Sequence, residues 1–302
     1  MVSAAKLAID DSGFEITEAN TDEVGVVVGT TFGSIQSIAD FDKVTLEEGP
    51  RNTNPSLFPN TVINSPASQV SIWHKLAGFN ATVSTGFTAS MDALSYAYDF
   101  LQLGRASAIL VGAVEEMCEK TFFGLESLNF LSGSDGDFLD CPFDKRRNGI
   151  VFGEGAYFFV LEEYENAKQR GANILGEILG VGECFIPNTL NKYPRTGEGL
   201  KKAIEKVLIY TGVEPSSIDY VASYANSTIE GDRLEAIVIQ DLFNSTTPVN
   251  AIKSMTGDCM SVSGGFSLIG ALGSINRGFI SPICNYEVED KDCRLNVVKS
   301  TL

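Results

Sequence analysis

The chain has 302 residues, 44% of them hydrophobic, and a formal net charge of −17 from 22 Lys and Arg against 39 Asp and Glu. This composition fits a packed globular core, and the negative charge, which would repel a phosphate backbone, excludes nucleic acid as an expected partner. No run approaches the roughly 18 apolar residues that span a bilayer, and acidic residues stand where a signal peptide would be apolar. We therefore expect a cytoplasmic protein without membrane contact.

The sequence offers no pattern typical of a metal or cofactor site. Its six Cys are far apart without a CxxC pair, and there is a single His. This predicts neither a zinc site nor a disulfide scaffold. The stretch GVVVGTTFGS lacks GxGxxG spacing, and no GxxxxGK[ST] motif occurs. We predict no metal and no cofactor, and interpret the glycines as allowing close packing and tight turns.

Strand patterns and helix patterns alternate along the chain. A buried strand ending in a glycine-containing turn is predicted at 24–34 and another strand at 80–86, with helical spacing of apolar residues after Phe87. Residues 155–171 pass from strand to helix and end at Gly171. Further strands are predicted at 106–117, 174–185, 218–228 and 250–255, and further helices at 200–212 and 233–243. The alternation indicates a layered α/β architecture with parallel sheet segments in one integrated unit.

The stretch STGFTASMDAL, residues 84–94, has an unusual residue at its turn. Small residues surround a sharp strand-to-helix transition, the setting in which a fold presents a nucleophile at a helix N-terminus. The residue at the apex is Phe87, whose side chain has no nucleophilic atom. The turn is therefore predicted to be structural.

Three stretches resemble the β-ketoacyl synthase family. Residues 84–116 look like the family's strand, cysteine elbow and following helix, and residues 141–163 are similar to its PFD-x-x-R-x-G-F-x-x-GEGA segment. KSMTGD at 253–258 resembles the family's KSMTGH. The resemblance covers most of the chain and implies a thiolase-like α/β fold, layered α, β, α, β, α, that normally works as a dimer. It implies one domain over 1–302 with related halves at about 1–165 and 166–302.

Both ends of the chain differ from the resembled family. The family begins roughly 70 residues upstream, whereas this chain starts inside what looks like a later helix, and it stops before the family's C-terminal GFGG loop. The resemblance thus implies a thiolase-like fold that is incomplete at its N- and C-termini. Because missing sheet-forming pieces expose strand edges, we expect the chain to depend on a partner and to misassemble when expressed alone.

The family's reactive residues are replaced. Its chemistry needs a cysteine that accepts the acyl chain and two histidines that assist decarboxylation and stabilise the oxyanion. By resemblance, the cysteine position falls on Phe87, the first histidine position on Tyr224 of YANST, and the second on Asp258. Lys253, which supports the site in the family, is retained, and a usual glutamate is Ser267. No catalytic residue is therefore expected.

Composition leads to the same expectation without any alignment. The one histidine of the chain, His74, stands beside Trp73 near a predicted helix end, where a packing or surface role is the common one. A site with two histidines cannot be assembled from this chain.

Since it resembles this family but lacks the reactive residues, the chain is similar to the chain-length factors, or β subunits, of type II polyketide synthases. That resemblance implies a noncatalytic subunit that forms a heterodimer with an active ketosynthase and shapes the tunnel for the growing polyketide chain. Because the chain is strongly acidic, we expect an acyl carrier protein to dock mainly on the active partner. Two alternatives stay open: an enzyme of altered chemistry, such as a decarboxylase or acyltransferase using Tyr224, Asp258 or Lys253, and a structural or regulatory scaffold.

Two stretches are candidates for the tunnel wall at the partner interface. In the resembled synthases the counterpart of residues 54–72 reaches over the interface. The candidates in this stretch are Leu57, Phe58, Ile63 and Asn64. The second stretch, 121–131, is rich in Phe and Leu, a composition that also fits a core helix. Its candidates are Phe122, Phe123 and Leu125.

Overall fold

The computed structural model describes residues 1–133, 137–187, 193–194 and 196–302. They form two compact units, each built from three stretches of the chain. Unit 1 comprises Met1–Gly124, Glu154–Ile174 and Cys259–Gly265, and unit 2 comprises Leu125–Gly153, Leu175–Asp258 and Phe266–Leu302. The expected division into halves at about residue 165 stays a prediction. Within the described residues, no helix is long and apolar enough to cross a membrane.

Unit 1 is organised by a four-stranded sheet. Its strands are β1 (Val24–Gly29), β2 (Asn80–Val83), β3 (Ala108–Glu115) and β4 (Gly155–Glu162). Their order is β2-β1-β3-β4, with β1 parallel to β2 and β3, and β4 antiparallel to β3. The helices wholly or mostly in this unit are α1 (Val2–Ser12), α2 (Ile35–Glu48), α3 (Ser65–His74), α4 (Ala89–Gln102), α5 (Glu119–Ser127) and α6 (Tyr164–Gln169).

Strand β1 forms the centre of the unit 1 core. All six of its residues are buried, as its run of Val and Gly predicts for a strand covered on both faces. Its last residue, Gly29, lies against the start of α4, because a Cβ there would come 2.5 Å from the carbonyl oxygen of Ala89. The predicted role of glycine in close packing is confirmed at this position.

Unit 2 contains a smaller parallel sheet. Its strands are β5 (Val221–Ala222), β6 (Pro248–Asn250) and β7 (Asn296–Val297), in the order β5-β6-β7. The helices wholly or mostly in this unit are α7 (Glu198–Thr211), α8 (Ile229–Leu242), α9 (Lys253–Thr256) and α10 (Ser263–Arg277). The core joins α8 and the sheet with the loop that carries Phe143, which is fully buried together with Val249 and Ala236.

Two of the predicted strands are wrong. Residues 174–185 contain neither helix nor strand; they lie along α7, where Lys206 Nζ donates to the carbonyl of Glu183 at 3.0 Å. A strand needs a hydrogen-bonded neighbour, and among the described residues no strand pairs with this segment. Residues 250–255 leave β6 at Asn250 and form the single-turn helix α9 instead.

Candidate functional site

The turn that carries Phe87 keeps the geometry of an elbow. A short 3₁₀ turn, Gly86–Thr88, follows β2 and leads into α4, and Gly86 has φ 82°, which only glycine adopts without strain. The Thr88 hydroxyl donates to the Asp92 carboxylate at 2.8 Å, and the Thr85 hydroxyl donates to the same carboxylate. Phe87 is half-buried at the apex. The elbow is therefore held by its neighbours, although its apex has no reactive atom.

Glu115, at the end of β3, fixes the loop behind this elbow. Its buried carboxylate accepts the backbone N–H of Thr31 at 2.8 Å and of Phe32 at 3.1 Å, and the hydroxyl of Ser261 at 2.6 Å. The Thr31 hydroxyl in turn donates to the Gly86 carbonyl at 3.2 Å. Glu115 was not predicted from the sequence, where the one signal for it is an acidic residue at the end of an apolar strand.

The other replaced positions lie together in unit 2. Lys253, at the start of α9, is 1% exposed; its ammonium donates to the Tyr224 carbonyl and lies 3.0 Å from the centre of the Tyr224 ring. Asp258 is 1% exposed and accepts from the Asn226 side-chain amide at 2.7 Å. The Tyr224 hydroxyl is hydrogen-bonded to Asp258 as well. The structure thus brings together Tyr224, Lys253 and Asp258, as the resemblance implied, and adds Asn226.

These contacts decide how the groups behave as acids and bases. Although Tyr224 as a whole is 39% exposed, desolvation of its hydroxyl raises the pKa well above its usual value, and the nearby Asp258 adds to this effect. Burial lowers the pKa of Lys253, although Asp258 and Glu235 act in the opposite direction. The Tyr224 phenol is therefore held protonated and is not available as a base near neutral pH. The Lys253 ammonium is enclosed among carboxyl groups and donates to a backbone carbonyl.

Three further carboxyl groups surround Lys253. Asp140 accepts from the Ser227 hydroxyl at 2.7 Å, Glu235 accepts from the Tyr224 N–H at 2.8 Å, and Asp232 accepts from the Asn226 N–H at 3.0 Å. We call Asp140, Asp232, Glu235 and Asp258 the acid cluster. The first three, which come from a loop and from α8, were not predicted from the sequence. The available signal was the pair of acids at positions 232 and 235, three residues apart within the apolar pattern of α8.

A strained turn supports the acid cluster. Phe143 is fully buried and has φ 62°, a backbone conformation that bulky residues rarely adopt. Its N–H donates to the second oxygen of Asp232 at 2.9 Å. Ser227 also has a positive φ, 69°, and its hydroxyl accepts from the Cys141 N–H at 2.8 Å. Short polar contacts hold both backbone segments in place.

The predicted tunnel residues fall into two groups by exposure. All four candidates on the first stretch are accessible: Leu57 is 50% exposed, Phe58 55% and Ile63 43%, and Asn64 is exposed too. Leu57 lines a cavity of about 290 Å³ between α2 and residues 52–60.

On the second stretch, Phe122 is 40% exposed and Phe123 53%, and their rings meet edge to face with centres 6.2 Å apart. Leu125 is 4% exposed, as the core-helix alternative anticipated. The role of these residues as a tunnel wall stays a prediction. No group of three or more His, Cys, Asp or Glu side chains suited to a metal ion occurs in the described ranges.

Comparison with known proteins adds the family context. Residues 1–167 match the model for the β-ketoacyl synthase N-terminal domain, and residues 175–287 match the model for the C-terminal domain. The chain is 31% identical over 303 residues to the 3-oxoacyl-[acyl-carrier-protein] synthase 2 of Synechocystis sp., covering 98% of this chain and 73% of that protein.

Solved structures agree with the sequence matches. A type II polyketide synthase acyl-carrier protein in complex with its ketosynthase bound to the hexaketide matches with TM-score 0.91 and 26% identity, covering 100% of this chain and 77% of that one. The ishigamide ketosynthase/chain length factor matches with TM-score 0.89 and 29% identity, covering 100% and 74%. The expected thiolase-like α/β fold is confirmed by these similarities.

Proposed function

Because the chain belongs to the β-ketoacyl synthase family and three of that family's expected reactive positions are replaced, we propose that it is a noncatalytic, chain-length-factor subunit. In this role it pairs with an active ketosynthase of a type II polyketide pathway and contributes walls to the tunnel in which the polyketide grows. The partners are the ketosynthase subunit, the growing chain and, mainly through the ketosynthase, an acyl carrier protein.

The observation that carries this proposal is the hydrogen bonding of the replacements to one another. Tyr224 is bonded to Asp258, Asp258 to Asn226, and Lys253 to the Tyr224 carbonyl. A catalytic pocket keeps donors directed at the position where the substrate develops charge. Here the polar groups at these positions are directed at each other, and the carboxylate of Asp258 stands where a donor to an oxyanion is required.

The chemistry at the elbow supports the same conclusion. Phe87 supplies neither thiol nor hydroxyl, while the hydrogen bonds around Gly86 and Asp92 keep the turn intact. A chain that retains the scaffold without a nucleophile can influence a product only by supplying shape and contacts to another subunit's reaction.

One similar solved structure is the ishigamide ketosynthase/chain length factor, whereas the Synechocystis relative is a 3-oxoacyl-[acyl-carrier-protein] synthase 2. The alternative reading is therefore an enzyme of altered chemistry, with Tyr224, Asp258 or Lys253 as the acting groups. The raised pKa of Tyr224 disfavours it, because burial keeps the phenol from acting as a base near neutral pH.

The first experiment asks whether the chain reacts by itself. The purified chain is incubated with acyl-carrier thioesters and analysed by intact-mass spectrometry, with an active ketosynthase as positive control. We expect neither an acyl adduct nor a decarboxylated product. Covalent acylation, or turnover without a companion, would overturn the noncatalytic role.

The second experiment asks whether the chain shapes the product. It is co-expressed with a ketosynthase, and the complex is isolated by a tag on one subunit before product length is measured. Leu57→Ala and Phe58→Ala enlarge the proposed wall region and should lengthen the product, whereas Leu57→Trp should shorten it. Leu46→Ala is the matched control, because Leu46 lies on α2 and is 85% exposed. Unchanged product length in all the wall variants would favour a scaffold role.

A further inference from the structure

Three members of the acid cluster, Asp140, Asp232 and Glu235, are titratable side chains that the proposed function does not use. The four carboxyl groups of the cluster face two cations, Lys253 and Arg147, and the Arg147 Nε lies 3.9 Å from Asp232 without a hydrogen bond. Arg147 is committed elsewhere, since its Nη1 donates to Asp290 at 2.5 Å. The cluster therefore holds more carboxyl groups than neighbouring cations can neutralise, in a place from which water is largely excluded.

We propose that the acid cluster is a proton-binding group that stabilises unit 2, in which Asp140, Asp232 and Glu235 keep protons in the folded chain and weaken the unit when those protons are lost. Asp140, Asp232 and Asp258 are each at most 9% exposed. The segment that they hold, residues 224–232, contains Tyr224 at one of the replaced positions. The proposal concerns the folding of this chain and does not rest on the tunnel-shaping role.

The surroundings of each group support this sign of the effect. Burial raises the pKa of Asp140 to about 7, against the hydrogen bond from Ser227, and raises that of Glu235 to about 7 and that of Asp232 to about 6. The charge of Lys253 lowers the pKa of all three groups and that of Arg147 lowers the pKa of Asp232, but neither cation reverses the upward shift. Other titratable groups that face the cluster are Tyr193, Tyr224, Cys141 and Cys293, whose pKa values burial raises.

The pH window follows from the direction of these shifts. A carboxyl group whose pKa is higher in the folded chain than in the unfolded chain keeps its proton on folding, so its stabilising effect is full in acid. That effect is lost as the pH rises from about 4, where unfolded carboxyl groups ionise, to about 7. Each such group increases the unfolding equilibrium constant by up to about tenfold per pH unit within this window.

Two nearby carboxylates act in the opposite direction and set the lower limit of the window. Burial would raise the pKa of Asp144, yet the hydrogen bonds from the Arg146 side chain and from three backbone N–H groups hold it below its ordinary value. The bond from Arg147 does the same for Asp290. These groups stabilise the fold above their unfolded pKa and lose that effect only in stronger acid, below about pH 4. The measurement therefore belongs between pH 5 and 8.

The test is urea unfolding of the full chain at several pH values, followed by tyrosine fluorescence and circular dichroism. For the parent we expect the unfolding equilibrium constant to rise at least about tenfold between pH 5 and 7 and to level off above pH 7. The double variant Asp140→Asn, Glu235→Gln keeps the acceptor oxygens for Ser227 and for the Tyr224 N–H but cannot ionise. The unfolding equilibrium constant of this double variant should rise at least about fivefold less between pH 5 and 7 than that of the parent.

The control is Glu177→Gln, which neutralises an exposed carboxylate of the same unit. It should retain the parent's pH dependence. A parent that is equally stable or more stable at pH 7 than at pH 5 would overturn the proposal. A double variant whose unfolding equilibrium constant depends on pH as strongly as that of the parent would also overturn the proposal. If the double variant does not fold, the two single variants and the parent curve decide the question.

Discussion

Tyr224 and Asp258 should behave as one energetic unit. Tyr224→Phe removes one hydrogen bond to a buried group and should cost about 1–2 kcal/mol of the free energy of unfolding. Asp258→Ala leaves both the Tyr224 hydroxyl and the Asn226 amide without their partner and removes a carboxyl group from the side of Lys253, which should cost about 3–5 kcal/mol. The double variant loses the shared bond only once. Its cost should therefore fall short of the sum by about 1–2 kcal/mol.

The assay is a double-mutant cycle from urea unfolding at one fixed pH, with all four proteins measured side by side. Tyr210→Phe serves as the control for removing a hydroxyl, because Tyr210 is 67% exposed and should change stability by less than about 0.5 kcal/mol. An interaction energy below about 0.5 kcal/mol would refute the reasoning, since the replaced positions would then be independent of each other. It would also remove the main support for a pocket whose polar groups are satisfied internally.

Three further outcomes are expected in unit 1. Gly29→Ala should destabilise the chain by about 1–3 kcal/mol, because the added Cβ would meet the Ala89 carbonyl. Gly124→Ala is the matched control, since a Cβ there meets nothing within 4 Å, and it should be neutral or stabilising. Equal thermal midpoints for the two variants would contradict this prediction. Glu115→Ala should cost about 3 kcal/mol and speed amide hydrogen exchange in the loop after β1; unchanged exchange there would argue against Glu115 as its anchor. Phe87→Cys should give a thiol that iodoacetamide modifies but no condensation of acyl thioesters, because the two histidine positions still hold Tyr224 and Asp258. Condensation product above the background of the parent chain would disprove the roles assigned to these positions.

Much of the fold follows from local pattern. The Val-rich run of β1 and the strand-to-helix passage that ends at Gly171 were predictable, because burial on both faces and a left-handed helix end leave clear sequence signals. The segment 174–185 has an equally strand-like composition. Whether it becomes a strand depends on a hydrogen-bonded neighbour, which no pattern within the segment specifies.

The candidate site was predictable only where the family resemblance reached. Tyr224, Lys253 and Asp258 were located from motif positions, but that comparison says nothing of how the substituted side chains contact one another. Asp140 and Glu235 lie in segments far apart in sequence, and each alone resembles an ordinary surface acid. Their convergence on Lys253 depends on tertiary packing, and their raised pKa values depend on burial that the sequence does not report.

The enclosure of Lys253 has a consequence for any return to condensation chemistry. Exchanging Asp258 for a neutral or cationic residue would leave an ammonium deep inside the unit with weaker compensation, and exchanging Tyr224 would take away the ring on which that ammonium rests. Each of these two single exchanges should therefore give a less stable protein. In the proposed noncatalytic role, the stability of the fold thus opposes a gain of condensation activity, and a directed-evolution library would need paired changes at both positions before selection for turnover could succeed.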